Sequence, residues 1–174
     1  MVDKADLPDD ELVRHAAALG ELLRRRGQML AVAESCTGGL IAAAITAVPG
    51  SSQWFERGFV TYANRAKEEM LGVAAQTLEA HGAVSEAVAR EMAAGALRRS
   101  HAQVSLAVSG IAGPGGAVPG KPVGMVCFAW DGQGVAARAC TLRFAGGRHQ
   151  VRRRAALAAL QGMASLIGHG DGDA

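Results

Sequence analysis

A serine at the junction of two sequence patterns is the first candidate for chemistry. Ser35 lies in the segment AESCTGG at residues 33–39, after a short apolar run and before a run of small residues. A serine at the start of a helix could act as a nucleophile, and the unpaired N–H groups of Thr37, Gly38 and Gly39 could stabilise an oxyanion. The alternative is that Ser35 or Thr37 only caps the helix.

A second nucleophile is available beside the first. Cys36 follows Ser35 directly, although a small buried thiol commonly serves packing alone. A serine also needs a base, and none of the five histidines occupies an obvious position for one, since they fall in predicted helices, at helix ends or in the tail. The base must therefore be sought among other side chains.

Lys67 is the alternative base. It lies in the first turn of a predicted helix, where the helix dipole and burial would lower its pKa and leave a neutral amine. Tyr62, the only tyrosine in the chain, lies just upstream at a strand end and could relay or orient a proton. In the alternative interpretation Lys67 pairs with Glu68 or Glu69 at the surface, and Tyr62 only packs.

A glycine-rich loop supplies a candidate binding surface. The segment SGIAGPGG at residues 109–116 allows the backbone to approach an anion closely, so it could bind a phosphate or a carboxamide, or form a plain connection. The overlapping segment GGAVPGK at 115–121 matches the GxxxxGK pattern of a P-loop. Pro122 replaces the Ser or Thr that would bind magnesium, which argues against that interpretation.

Arginines open the last predicted helix, at positions 148, 152, 153 and 154. Cations at a helix start oppose its dipole, and a bound anion would relieve that conflict. Arg148 and Arg152 are one turn apart and could contact the same ligand, whereas Arg153 and Arg154 fit a solvated face. No cluster of histidines, cysteines or spaced carboxylates indicates a metal site, so we expect none.

The elements that must position these residues follow from the periodicity of apolar residues. Strands are predicted at residues 29–34, 59–62, 104–108, 123–130 and 135–144. Helices are predicted at residues 10–26, 40–48, 65–71 with Asn64 as N-cap, 77–81, 86–99 and 148–167. This order predicts an α/β fold, a three-layer α/β/α sandwich with a mixed central sheet. Sites in such folds gather in the loops that leave the strand ends.

Composition limits the classes of protein. The chain has 174 residues, 49% of them hydrophobic, which is enough for the core of one domain. A net charge of +2 predicts neither a nucleic-acid nor a membrane-surface partner. No run approaches the ~18–20 apolar residues of a membrane span, and the acidic start is unlike a secretory signal, so a cytoplasmic protein is expected. Three cysteines without a CxxC pair predict no disulfide framework or zinc site.

Six ordered blocks resemble the CinA C-terminal domain family. They are AESCTGG at 33–39, GFVTYANRAKEEMLGV at 58–73, HGAVSEAVAREMAAGAL at 81–97, AVSGIAGPGG at 107–116, KPVG at 121–124 and FAGGRHQVRRRAAL at 144–157. The likeness covers residues 8–167, which we expect to form the domain, with a disordered tail at 168–174. It is closest to the stand-alone members of the family, the nicotinamide-nucleotide amidohydrolases (PncC type).

The resemblance implies an α/β/α fold and hydrolysis of nicotinamide mononucleotide to nicotinate mononucleotide and ammonia, without metal or cofactor. By motif position, Ser35 matches the nucleophile, Lys67 the base and Tyr62 its polar partner. Ser109 matches a hydroxyl lining the site, and Arg148 matches the arginine of the family's F-x-G-D-R block. A homo-oligomer is also expected.

Substrate contacts are expected from Thr37, Gly38, Gly39, Ser109, Gly110, Gly113 and Arg148. Two departures from the family pattern lie in this region: Gly147 stands where the block usually has Asp, and the loop has GPGG in place of GPDGG. They concern substrate affinity more than the Ser–Lys pair. The alternative function is a non-catalytic interaction module, because longer CinA proteins are linked with competence and DNA recombination. The presence of Ser35, Lys67 and Tyr62 together favours the enzyme.

Overall fold

The computed structural model describes residues 10–168. Its helices are α1 (Glu11–Arg25), α2 (Leu40–Thr46), α3 (Asn64–Leu71), α4 (Ala75–His81), α5 (Glu86–Arg98) and α6 (Arg148–Gly168). Its strands are β1 (Leu30–Glu34), β2 (Phe55–Val60), β3 (Val104–Gly110), β4 (Met125–Gly132) and β5 (Arg138–Arg143). No helix within these described residues is long and apolar enough to cross a membrane.

Each predicted helix and strand is present, with differences at the ends. β2 begins at Phe55 rather than at residue 59, because this half-exposed edge strand lacks the continuous apolar run of a buried one. Ala63, not Asn64, is the N-cap of α3, and no side chain caps that helix. Of the predicted tail, Gly168 ends α6, and residues 169–174 lie outside the described residues.

The five strands form one sheet in the order β2-β1-β3-β4-β5. β1 runs parallel to both β2 and β3, whereas β4 is antiparallel to β3 and β5. The sheet is therefore mixed, as predicted. The parallel arrangement brings the carboxyl ends of β1, β2 and β3 to one edge, so the segments that follow these strands meet there.

Helices cover both faces of the sheet and give the predicted three layers. On one face α1, α2 and α6 enclose a core that includes Leu19, Leu106 and Leu160. On the other face α3, α4 and α5 cover a core lined by small residues such as Ala31 and Ala107. Leu106 and Ala107 are adjacent in β3 and face opposite sides, as the two-residue period of a strand requires.

A close approach between α3 and α5 depends on a glycine. A Cβ built on Gly95 of α5 would overlap the carbonyl group of Leu71 at the end of α3. Because Gly95 has no side chain, α3 can lie tightly against α5, and this contact fixes the helix that carries Lys67.

Candidate active site

The turn that carries Ser35 leaves the middle of the sheet. β1 lies between β2 and β3, and the N–H of Ser35 donates to the Val108 carbonyl oxygen at 3.0 Å. The N–H of Gly38 donates back to the Ser35 carbonyl at 3.0 Å. Gly38 and Gly39 have φ angles of 60° and 93°, a left-handed conformation that glycine adopts without steric cost. The side chain of Ser35 is thus held at the strand end, and the residue is 8% exposed.

Lys67 reaches the same point from α3. Its Nζ lies 3.0 Å from Ser35 Oγ and donates to the Thr61 carbonyl oxygen at 2.7 Å. The residue is 1% exposed, and burial lowers the pKa of its amine from 10.5 to about 8. The predicted nucleophile and base are therefore adjacent, and the alternative of a surface pair with Glu68 or Glu69 is wrong for this lysine.

The environment of Lys67 suits a base. A neutral amine has two N–H groups and one lone pair. One N–H is used by Thr61, and the lone pair can then accept a proton from the Ser35 hydroxyl at 3.0 Å. A serine beside a lysine of lowered pKa is an arrangement that can carry out nucleophilic catalysis.

Cys36 is poorly suited to act as the nucleophile. The residue is 6% exposed, and burial raises the pKa of its thiol to about 12. The negative charge of Glu34 acts in the same direction. Since the thiolate is the reactive form of cysteine, Cys36 stays protonated and unreactive at neutral pH.

Tyr62 and Arg148 form a pair at the exposed side of the site. One Arg148 nitrogen, Nη2, donates to the Tyr62 hydroxyl at 2.8 Å, and the other, Nη1, donates to the Gly113 carbonyl at 2.9 Å. Tyr62 was expected to partner Lys67, but its hydroxyl has no bond to Lys67 or Ser35 in the structure of residues 10–168. Tyr62 is 60% exposed, so its direct contact is with the arginine rather than with the base.

A cleft of about 220 Å³ joins these groups. It is lined by Ser35, Cys36, Tyr62, Lys67, Ala83, Val84, Ser109, Gly110, Ala112 and Arg148. The lining contains two potential cations and no carboxylate. Ser35 and Lys67 are buried and able to perform a reaction. Tyr62 and Arg148 are exposed and able to hold a polar part of a ligand.

The glycine-rich loop contributes unequally to the cleft. Ser109 and Gly110 line it. The hydroxyl of Ser109 donates to the Ala83 carbonyl at 2.6 Å and the residue is 1% exposed, so this bond also fixes the opposite wall. Gly113 is outside the lining and acts through its carbonyl, which accepts from Arg148.

The expected oxyanion donors at Thr37, Gly38 and Gly39 need correction. The Gly38 N–H donates to the Ser35 carbonyl, and the Gly39 N–H donates to the Glu34 carboxylate. Only the N–H of Thr37 has no acceptor among residues 10–168. None of the three residues lines the cleft. Two of the three donors are therefore unavailable, one because it bonds to the Ser35 carbonyl and the other because it bonds to the Glu34 carboxylate.

Glu34 is the polar residue of this region that the sequence did not reveal. Its carboxylate caps α2, so the alternative in which Ser35 or Thr37 is the cap is also wrong. A glutamate five residues before the cap position Gly39 matches no common N-cap pattern. The apolar run that predicts β1 hides it, because its last residue is charged yet fully buried.

The arginines of α6 separate into different roles. Arg152 donates to the Thr37 carbonyl at 2.8 Å and does not line the cleft, so the expectation that it shares a ligand with Arg148 is not met. Arg153 forms an ion pair with Asp10 at 2.8 Å. Arg154 donates to the Ala145 carbonyl. Arg148 alone among these four reaches the cleft.

In the part of the chain that the structure describes, no group of three or more His, Cys, Asp or Glu side chains is arranged to hold a metal ion.

Fold and site together define an α/β/α protein with a buried Ser–Lys pair at the carboxyl edge of its parallel strands. The CinA C-terminal domain model matches residues 13–167. The chain therefore belongs to the CinA C-terminal domain family, which confirms the resemblance found in the six sequence blocks.

Individual relatives differ in length. The chain is 50% identical over 158 residues to the nicotinamide-nucleotide amidohydrolase PncC of Escherichia coli K12, covering 89% of this chain and 94% of that protein. It is 58% identical over 151 residues to a competence-damage inducible protein of Symbiobacterium thermophilum, covering 82% of this chain but only 35% of that longer protein.

A solved structure has the same fold. The crystal structure of the competence/damage inducible protein CihA from Agrobacterium tumefaciens superposes with a TM-score of 0.88 at 43% sequence identity. The match covers 92% of this chain and 97% of that one, so the three-layer architecture is shared along nearly the whole length of both.

Proposed function

We propose that the chain is an amidohydrolase that converts nicotinamide mononucleotide to nicotinate mononucleotide and ammonia. The observation that carries the proposal is the buried Lys67 amine, 3.0 Å from Ser35 Oγ in a cleft. The substrate is supported by the E. coli relative, whose name specifies a nicotinamide-nucleotide amidohydrolase and which aligns with the chain over 94% of its own length.

The proposed reaction has two halves. Neutral Lys67 accepts the proton of Ser35, and Oγ attacks the carboxamide carbon to form a tetrahedral oxyanion. Lys67 returns the proton to the amide nitrogen, and the C–N bond breaks. Ammonia departs, and Ser35 remains as an acyl-serine. Water then attacks the ester as Lys67 takes its proton. Lys67 gives that proton to Ser35 Oγ as the ester C–O bond breaks, and the acid product ionises, its proton passing to the released ammonia. The scheme uses no metal ion.

Backbone N–H groups next to the nucleophile are the proposed oxyanion donors. The N–H groups of Cys36 and Thr37 follow Ser35 directly and have no acceptor on another residue in the described range 10–168. Fixed donors aimed at developing negative charge are a major source of catalysis in acyl transfer. Gly38 and Gly39 are not assigned this role, because their N–H groups are already used.

Arg148 is the proposed contact for the phosphate. A guanidinium has five N–H donors, and two of those of Arg148 are used by Tyr62 and Gly113. These two bonds hold the side chain at the exposed side of the cleft, where the remaining N–H groups can bind an anion. Tyr62 is then proposed to serve the reaction by orienting Arg148.

An ammonia-release assay tests the proposal, with nicotinamide mononucleotide, nicotinamide and glutamine compared at equal concentration. We expect release from the mononucleotide, none from the Ser35→Ala variant, and the same rate with and without a chelator. Equal turnover of free nicotinamide would contradict recognition of the nucleotide. Loss of activity in chelator that divalent metal restores would contradict the metal-free scheme. The cytoplasmic location and the homo-oligomer stay predictions.

A further inference from the structure

Glu34 is a buried carboxylate next to the nucleophile. It is the last residue of β1 and is 0% exposed. Within residues 10–168 no lysine or arginine lies within ion-pair distance of it. A buried charge is costly unless hydrogen bonds compensate it, so the partners of this carboxylate show what it does.

Those partners are three backbone N–H groups at the start of α2. Oε2 accepts from Gly39 at 3.0 Å and from Ile41 at 3.1 Å, and Oε1 accepts from Ala42 at 2.9 Å. The first N–H groups of a helix have no partner within the helix, and here the cap residue Gly39 supplies no side chain. Glu34, at the end of β1, supplies the acceptor for these N–H groups with its carboxylate, which reaches across the turn.

This bonding closes a ring around the nucleophile. The side chain of Glu34 ties the end of β1 to the first turn of α2, so Ser35 lies between two points held by one carboxylate. A second contact, from Arg152 to the Thr37 carbonyl at 2.8 Å, holds the middle of the same turn. The turn therefore cannot shift without breaking charge-assisted hydrogen bonds.

The backbone of Glu34 also connects to the base. Its carbonyl oxygen accepts from the Thr61 N–H at 2.8 Å, and the Thr61 carbonyl accepts from Lys67 Nζ at 2.7 Å. One residue is thus bonded through its side chain to the turn of the nucleophile and through its main chain to the segment that holds the base.

We propose that Glu34 is a positioning residue for the Ser35–Lys67 pair, a role that rests on the proposed function of Ser35 as nucleophile. Its carboxylate holds the turn at the geometry that gives the 3.0 Å distance between Ser35 Oγ and Lys67 Nζ.

Two variants separate positioning from simple stability. Glu34→Gln keeps the size of the side chain but places an amide group against a backbone N–H, which breaks at least one of the three bonds. Ala42→Pro removes one donor while leaving Glu34 in place, because Ala42 lies in the first turn of α2, where its N–H bonds to Glu34 rather than within the helix. Asp10→Asn is the matched control: Asp10 caps α1 by accepting from Leu12 at 2.9 Å, pairs with Arg153, and lies outside the lining of the cleft.

Two readouts are measured at a temperature where all variants are folded by circular dichroism. The first is the second-order rate at which a fluorophosphonate labels Ser35, which needs no nicotinamide compound. The second is kcat and KM for nicotinamide mononucleotide. We expect Glu34→Gln to lower both the labelling rate and kcat by on the order of 10²-fold, the cost of misplacing a reacting group by about 1 Å. KM should stay unchanged, Ala42→Pro should have a smaller effect of the same kind, and Asp10→Asn should lower only the melting temperature.

Each other outcome has a definite meaning. Wild-type labelling and kcat in folded Glu34→Gln would overturn the inference and leave Glu34 a structural cap. If the wild type labels at Ser35 but releases no ammonia from the mononucleotide, the substrate is wrong, and slower labelling of Glu34→Gln still supports the positioning role. A wild type that does not label at Ser35 would overturn both proposals.

Discussion

Lys67 Nζ and Ser35 Oγ lie 3.0 Å apart although 32 positions separate the two residues in the chain. The distance is set by the topology: Ser35 follows the central strand β1, and Lys67 lies one turn into the helix that follows the neighbouring parallel strand β2. Both side chains are buried, so neither can move away into solvent. The pair is therefore present before any substrate binds.

Removal of either member of the pair should disable the same step. Ser35→Ala and Lys67→Met should each lower kcat by on the order of 10³-fold or more, and the double variant should be little worse than the poorer single one, because groups acting as a unit are not additive. Lys67→Arg should fail too, since a guanidinium stays protonated. Steady-state kinetics of purified, folded variants measure this, and near-normal turnover by Ser35→Ala would reject Ser35 as nucleophile.

Activity should rise with pH through the pKa of Lys67. Burial lowers that pKa to about 8, and only the neutral amine can accept the serine proton, so at pH 7 most of the enzyme is in the inactive protonated form. We expect kcat/KM to increase between pH 6 and about 8 and then to level off. The profile is measured by ammonia release at constant ionic strength. A rate that is flat from pH 6 to pH 9 would contradict Lys67 as the base.

The same pKa shift predicts that Lys67→Met stabilises the protein at neutral pH. Lowering of the pKa from 10.5 to about 8 corresponds to a cost of about 3 kcal/mol in the free energy of unfolding, at about 1.4 kcal/mol per unit. The variant also loses the bond to Thr61, worth about 1 kcal/mol. We therefore expect a net gain of about 1–2 kcal/mol at pH 7.

The sign of the pH dependence provides the control for that stability measurement. Between pH 8 and about 10.5 the unfolded chain binds more protons than the folded one, so the stability of the wild type rises with pH. Met does not titrate, and the advantage of Lys67→Met should shrink across this window. Urea unfolding at several pH values measures it. An advantage that does not vary with pH would contradict a charged, buried lysine in the wild type.

The fold was predictable from local pattern because most elements bury one clear set of apolar residues. The helix α1 shows this best, since Leu12, Leu19 and Leu23 share a stripe and all are buried. β2 was placed too late because its residues are half-exposed at the edge of the sheet and carry no continuous apolar run. The order of the strands depends on pairing between segments far apart in the chain, and the periodicity of a single sequence carries no information on that pairing.

The contact between Ser35 and Lys67 was predictable because residue type alone limits the chemistry, and the structure places the two side chains 3.0 Å apart. The roles predicted wrongly are those that depend on which acceptor binds a given backbone N–H group. Thr37, Gly38 and Gly39 precede a helix and suggest free N–H groups, but Glu34 caps that helix from the strand. The spacing of residues in the sequence does not indicate which side chain accepts from the N–H groups at the start of a helix. That depends on how the preceding strand enters the turn.

The hydrogen bond between Arg148 and Tyr62 leads to a prediction about substrate binding. Arg148→Ala should raise KM about 10-fold to 100-fold with a smaller change in kcat, as for a lost hydrogen bond to a charged group. Tyr62→Phe removes the oxygen that accepts from Arg148 at 2.8 Å, so it should raise KM by less and in the same direction.

A double-mutant cycle tests whether the two residues act together. Because Tyr62 is proposed to act by orienting Arg148, the Tyr62→Phe change should have little further effect on KM once Arg148 is alanine, since contacting residues are not additive. Steady-state kinetics on all four proteins give the coupling between the two residues in KM. Arg154→Ala serves as a control, because this arginine donates its hydrogen bond to the Ala145 carbonyl. If Tyr62→Phe instead lowers kcat equally in both backgrounds, Tyr62 takes part in proton transfer at Ser35, and the role assigned to its contact with Arg148 is wrong.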